Sequence, residues 1–292
     1  MKGVRLPWGR GSAKGEGAIG LRIGGGSLTL VARIPGRAPV FRHITVNEGT
    51  EKETLSEVWK ELGLRGISTA IMLRFSEYQL FLVDSPEVPD SELLNAVRWR
   101  IKDMIDYSPT EATVDLIKLP YAGQRNPQIY AVCARNSIIS RYMQWCLQAG
   151  INLNVIDIPE MAIRNLVAVQ DACVAALAFD ETAGYVTFIS KGSIFHVRHL
   201  DVGASMLDSV STDRLVLEVQ RSMDHVERQF HEWPVTQFSV FQPPGTNLLE
   251  GLGQALDLPL VSLDPPGLEE GLSAEVYTQA WLLHGILLRG TP

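Results

Sequence analysis

The chain has 292 residues, 46% of them hydrophobic, and 26 Lys and Arg against 33 Asp and Glu give a formal net charge of −7. That length allows two domains, or one bilobed domain with a sizeable core. The acidic balance argues against nucleic acid as the main partner, because backbone binding needs a basic surface that releases counterions. No run is long and apolar enough for a membrane-spanning helix, the first residues lack a signal-peptide core, and Cys133, Cys146 and Cys173 lie in apolar segments without a CxxC pair. The expectation is a cytoplasmic protein with buried free thiols and no disulfide or zinc site.

Residues 1–17 carry Lys2, Arg5, Arg10 and Lys14 among glycines, with Glu16 opposing them and no apolar periodicity. They read as a flexible basic tail, with too few charges for more than marginal attraction to anionic lipid. From Ala18 strands and helices alternate. A β-ribbon over 19–34 turns at Gly24-Gly25-Gly26-Ser27, and His43-Ile44-Thr45-Val46 leads into a helix over 51–62 that Gly63 caps. Strands at 68–75 and 79–84 precede a helix from Pro89-Asp90-Ser91-Glu92 to about Ile105, which Ser108-Pro109 stops. Strands near 113–119 and 128–134 flank a turn at Ala122-Gly123-Gln124, and a helix over 136–149 closes on Gly150. These elements read as a compact α+β unit over about 51–150, inserted in a first lobe that spans 18–172. A strand at 151–158 and a helix opened by Pro159 bring the chain back to the first ribbon.

The second lobe, 173–292, begins with another ribbon over 175–200, turning at Ala183-Gly184 and Lys191-Gly192. A helix from about Thr212 to His231 places Leu215, Val219, Met223, Val226 and Phe230 on one face and Arg214, Arg221, Asp224, Arg228 and His231 on the other. A strand at 237–241, the turn Pro243-Pro244-Gly245, a helix over 246–256, a strand at 258–263 and a last helix over 274–288 complete it. Paired glycine-bearing ribbons let a two-lobed nucleotide fold hold phosphate from both sides, because backbone N–H groups of a glycine turn approach an anion with no Cβ in the way. Gly24, Gly25, Gly26, Ser27, Asp180 and Gly245 are the candidate cleft residues. Asp180-Glu181 put negative charge where a phosphate needs donors.

Other constellations fail on geometry. His196 and His199 are an odd number of residues apart on one strand and point to opposite faces, and His225 and His231 are six apart on a helix, so neither pair chelates a metal. No Gly-x-Ser-x-Gly elbow or Walker loop is present. On the helix from Pro89, Leu93, Leu94, Val97, Ile101, Met104 and Ile105 form the apolar face, while Trp99 points nearly opposite, among Asn95, Lys102, Asp103 and Asp106. Trp99 either seals the inserted unit against its parent lobe or, with Arg98, meets a partner. Met72, Phe75 and Leu80 are candidate pocket walls for a captured peptide, with core packing as the alternative.

Four stretches carry a family resemblance: Ile19-Gly20-Leu21-Arg22-Ile23-Gly24-Gly25-Gly26-Ser27, Glu92-Leu93-Leu94-Asn95-Ala96-Val97-Arg98-Trp99, Leu217-Glu218-Val219-Gln220-Arg221-Ser222-Met223-Asp224 and His284-Gly285-Ile286-Leu287-Leu288-Arg289-Gly290. The chain resembles the PilM/MshI proteins of type IV and MSHA-type pilus biogenesis, in the actin-like superfamily. The resemblance implies an α/β, two-lobed actin-like fold, a duplicated ribonuclease-H-like unit with an inserted α+β subdomain in the first lobe. It also implies a cytoplasmic protein, peripheral at the inner membrane, that binds the N-terminal tail of a PilN-like bitopic membrane protein near the insertion, among other pilus platform proteins.

Departures from the family pattern bear on chemistry. Arg22 stands where the family's first ribbon carries the acidic residue that helps hold hydrated magnesium, and a cation cannot ligate a cation. The acidic position of the second ribbon aligns with Ala178, unless a shift in strand register brings Asp180 into that role. Phe241-Gln242-Pro243-Pro244-Gly245-Thr246 replaces a Gly-Gly turn and removes two backbone donors. The expectation is a degenerate cleft without catalytic residue, metal or cofactor, and a non-catalytic scaffold. The alternatives are an ATP- and magnesium-binding relative whose nucleotide state regulates partner binding, and a type II secretion cytoplasmic-domain-like component.

Overall fold

The computed structural model describes residues 17–120, 127–167, 172–207, 212–230, 233–263 and 272–289. The expected basic tail before Gly17 and the turn at Ala122-Gly123-Gln124 lie outside them. In chain order the elements are β1 (Ala18–Gly24), β2 (Ser27–Arg33), β3 (Val40–Thr45), α1 (Glu51–Leu62), β4 (Ser68–Met72), β5 (Tyr78–Asp84), α2 (Asp90–Arg100), β6 (Ala112–Lys118), β7 (Gln128–Arg135), α3 (Asn136–Ala149), β8 (Asn152–Asp157) and α4 (Pro159–Leu166). There follow β9 (Cys173–Phe179), β10 (Gly184–Ser190), β11 (Ser193–Leu200), α5 (Thr212–Gln229), β12 (Val235–Val240), α6 (Leu248–Ala255), β13 (Leu260–Ser262) and α7 (Ala274–Leu287).

Two five-stranded sheets share one plan. The first runs β3-β2-β1-β4-β8 and the second β11-β10-β9-β12-β13. In each, the first three strands form an antiparallel meander and the last two run parallel to the first strand. The β1–β2 hairpin closes on Gly25 and Gly26, with φ of 64° and 84°, values that favour glycine. Gly63 and Gly150 end α1 and α3 in the left-handed conformation, at φ 64° and 68°. Leu215, Val219, Met223, Val226 and Phe230 are buried, so α5 packs with the face that its 3.6-residue periodicity selects.

The separate unit is shorter than the expected 51–150 stretch. α1 and β4 belong to the first lobe, since β4 lies between β1 and β8. The third sheet, β5-β7-β6, is built only from residues after β4. Alternation on its central strand divides two cores: Ile129, Ala131 and Cys133 face Leu93, Val97 and Ile101, whereas Tyr130, Val132 and Ala134 join the main core. α2 ends at Arg100 instead of Ile105. The Met104 amide then turns back to the Ile101 carbonyl, and this tighter turn still buries Ile101 and Ile105.

The last helix is placed differently from the expectation that it completes the second lobe. α7 packs on β1, β2 and α4 of the first lobe, while Trp281 and Tyr277 stack on Phe241 at the end of β12, with ring centroids 4.3 and 5.6 Å away. Its buried residues run from Thr278 to Leu287 on all sides, as expected of a helix apolar all round. Close approach depends on glycine: a Cβ at Gly20 would lie 2.8 Å from the Leu283 carbonyl oxygen. The Thr29 hydroxyl donates to Gln279 Oε1 at 2.5 Å, and Arg289 beyond the helix pairs with buried Asp157 at the end of β8. Among the described residues no helix is long and apolar enough to cross a membrane.

Candidate functional site

The two glycine-bearing hairpins meet through an ion pair. Arg22, 5% exposed on β1, places Nη2 at 2.7 Å from Oδ1 and 2.9 Å from Oδ2 of the fully buried Asp180. Burial acts to lower the Arg22 pKa, but the charge and hydrogen bond of Asp180 outweigh it, so the guanidinium stays protonated. Ala178 pairs with Tyr185 inside the second sheet, and Asp180 is the first residue beyond β9. The negative charge expected at Asp180 is present, and its carboxylate is matched by Arg22 across 158 residues of chain.

The backbone of the second turn is committed internally. The Asp180 amide donates to the Ala183 carbonyl at 2.7 Å, the Glu181 amide donates to the Asp180 carboxylate, and the Asp180 and Glu181 carbonyls accept from the Ala204 and Ser205 amides. Gly203 lies against this turn so closely that a Cβ there would be 2.3 Å from the Glu181 oxygen. On the first hairpin, the space that Gly25 leaves open is filled by Arg74, whose Nη1 lies 2.6 Å from where a Cβ would stand. Ser27 is half-buried and pairs with Thr45. Gly245, φ 82°, has open space around it, and the neighbouring Thr246 hydroxyl donates to the Pro243 carbonyl at 2.7 Å. A magnesium triphosphate requires carboxylate or phosphate oxygens around the metal and free N–H groups around the anion. Here Arg22 sits in an ion pair, the Asp180 and Glu181 amides are engaged within their turn, and Pro243 and Pro244 have no N–H to offer.

Beside the pair lies a polar and aromatic junction that pattern reading missed. The Tyr78 hydroxyl donates to both oxygens of Glu160, at 2.9 and 2.8 Å, and His199 Nε2 lies 2.7 Å from Oε1. Glu160 is fully buried in the first turn of α4, so the contact ties the first lobe and the start of β5 to β11 of the second. Burial beside Glu160 pushes the Tyr78 phenol well above its ordinary pKa and keeps it a donor. Phe75 contacts Tyr78, Tyr185 and His199 edge to face, at 6.3, 6.1 and 5.0 Å. The Tyr130 hydroxyl accepts the Val197 amide at 3.0 Å, so β7 also meets the outer strand of the second sheet. Glu160 next to Pro159 resembles an ordinary first-turn helix acid, and nothing local marks it as buried.

The residues expected to receive a partner do not share one surface. Met72 is 0% exposed, a core residue at the end of β4. Phe75 belongs to the junction, and Leu80 packs on the main core from the inner face of the third sheet. Arg98 and Trp99 belong to α2, whose apolar residues Leu93 and Val97 cover the opposite face of that sheet. Trp99 is 59% exposed, so the covered alternative, in which it seals the inserted unit to its lobe, is corrected.

The histidines show a contact invisible in linear spacing: His196 lies against His225 of α5, with ring centroids 5.0 Å apart and the rings tilted by 35°. Burial first, then the neighbouring His225 and Arg198, lower the His196 pKa to about 4. The unfolded side chain titrates near 6.5, so between these values the unfolded chain binds the extra proton. Stability from neutral His196 is complete above about pH 6.5 and is lost as pH falls through about 4, by roughly 3 kcal/mol at most. Denaturant titrations at pH 7 and near pH 4 should show His196→Phe losing less stability than the native chain; equal losses would reject this assignment. Among the described residues no three His, Cys, Asp or Glu side chains are grouped to hold a metal. His231 lies outside the described residues.

No family model matches the sequence, and no curated protein matches it. Solved structures do. The chain is similar to a structure described as the PilM-PilN type IV pilus biogenesis complex, at 19% identity and a TM-score of 0.69, covering 94% of this chain and 98% of that one. It is also similar to the cytoplasmic domain of EpsL, an inner membrane component of the type II secretion system of Vibrio cholerae, at 14% identity and a TM-score of 0.58, covering 93% and 95%. With the duplicated 3-2-1-4-5 sheet order, these likenesses give the chain a two-lobed actin-like fold.

Proposed function

We propose that this protein is a non-catalytic scaffold of a type IV or MSHA-type pilus assembly platform, of the PilM/MshI kind, at the cytoplasmic face of the inner membrane. The observation that carries the non-catalytic half is the buried Arg22–Asp180 pair, which puts a guanidinium where metal-dependent phosphate chemistry would need a carboxylate. The partner half draws support from the likeness over nearly the whole chain to a structure described as a PilM-PilN complex. In this reading the bound element is the short N-terminal tail of a PilN-like bitopic membrane protein, and exposed Trp99, with Arg98, contributes to its site beside the inserted sheet. Pull-down from solubilised membranes identifies the tail, and titration of that peptide tests the residues. Trp99→Ala is expected to weaken binding at least about tenfold, the scale of an aromatic anchor. Unchanged affinity would remove Trp99 from the site, and no membrane partner in the pull-down would remove the scaffold reading.

The likeness to the EpsL cytoplasmic domain favours a second reading, a component of a type II secretion platform. The same pull-down separates the two by the partner it returns.

A further inference from the structure

We propose that the Arg22–Asp180 pair is a ligand-independent clamp, holding the two sheets in the arrangement that a metal ion and phosphate bridging both hairpins would otherwise impose. The inference rests on the scaffold reading of the cleft and adds how the cleft is regulated: the lobe angle is not under nucleotide control.

Three observations carry it. First, the partners belong to different sheets. Arg22 pairs with Thr29 in the β1–β2 ladder, and Asp180 follows directly on β9. Both groups are buried, so solvent ions do not screen the attraction as they would on a surface. Second, Asp180 is held in place on its own lobe and does not follow Arg22 if the lobes move apart. The Asp180 carbonyl accepts the Ala204 amide at 2.8 Å, and its amide is held by the Ala183 carbonyl, which fixes the carboxylate to the second sheet. Separating the sheets therefore stretches the pair from the Arg22 side. Third, the charges are complementary: a cation in the first hairpin faces an anion in the second, and the two meet at hydrogen-bond distance. Arg22 Nη1 has no hydrogen-bond partner among the described residues, so the side chain accepts an incomplete donor set to keep this one contact.

A ligand shifts a conformational equilibrium only by its differential affinity for the two states. With the closed arrangement already filled, nucleotide has no open population to recruit, and the partner surface is competent at all times.

The test places spin labels on Lys60→Cys in α1 and Glu227→Cys in α5, exposed positions on helices of opposite lobes; the three native cysteines are buried. Double electron–electron resonance on the otherwise native chain is expected to give one distance distribution, unchanged by ATP with magnesium. Arg22→Ala/Asp180→Ala, which leaves no charge unpaired, is expected to add a longer-distance population, and the reversal Arg22→Asp/Asp180→Arg to remove it. Arg22→Lys keeps the charge on a shorter side chain that reaches Asp180 less well, and its intermediate broadening reads the clamp even if the double alanine chain unfolds. Native-like distributions in both Arg22→Lys and the double alanine variant would overturn the clamp and leave the scaffold reading standing. A native distribution that moves on adding ATP with magnesium would overturn the scaffold reading itself.

Discussion

Replacing Arg22 by alanine is expected to lower the unfolding free energy by about 3–5 kcal/mol, because it leaves the Asp180 carboxylate buried without its cation. Asp180 is fully buried and Arg22 is 5% exposed, so little water reaches either group to offset the loss. Asp180→Ala should cost a similar amount. For a chain of this size the loss corresponds to a fall of about 10 °C in Tm. Replacing both together, as Arg22→Met/Asp180→Leu, removes both desolvation costs and fills the space, and it should recover most of the stability. A double variant no more stable than the singles would mean that the side chains act through packing and not as a pair. Thermal and urea unfolding of the four chains decide between these outcomes.

Gly285→Ala is expected to destabilise by about 1–3 kcal/mol, against the usual sign of such a change. Helix propensity alone would favour alanine inside α7 by about 1 kcal/mol. Here the added Cβ would lie 2.4 Å from the Ala162 carbonyl oxygen and 2.8 Å from its carbon, and backbone atoms in a packed helix cannot yield as the end of a flexible side chain can. The Asn165 amide also donates to the Gly285 carbonyl at 3.0 Å, so pushing α7 away from α4 loses that bond as well. The control is Gly253→Ala in α6, where the nearest neighbour of an added Cβ is Leu260 Cδ1 at 3.5 Å, an ordinary contact. That change should be neutral or stabilising. If Gly285→Ala behaves like Gly253→Ala in urea titrations, α7 does not lie against α4 as described.

Much of the fold can be read from the chain because its signals are local. Apolar residues at helical spacing followed by Gly63 or Gly150 mark α1 and α3, and three consecutive glycines mark the first hairpin. The partners of each element are a different matter. The uniform apolarity of α7 says that it is buried but not against which sheet, and it crosses back to the first lobe. β4 and β5 look alike as runs of apolar residues, although one belongs to the first sheet and the other to the third. The candidate cleft was legible as far as Gly24 to Gly26, Arg22 and Asp180 individually. Their pairing was not, because no spacing rule reaches across 158 residues. Met72 and Trp99 show the same limit: an apolar residue at a strand end and an aromatic on a polar helix face carry no mark of which one is covered.

In the proposed scaffold, the Arg22–Asp180 pair stands in the cleft in place of metal and phosphate. Calorimetric titration of the purified chain with ATP and magnesium, with phosphate release followed in the same sample, tests it most directly. No saturable heat and no phosphate above the protein-free rate are expected. Micromolar binding accompanied by phosphate release would contradict it.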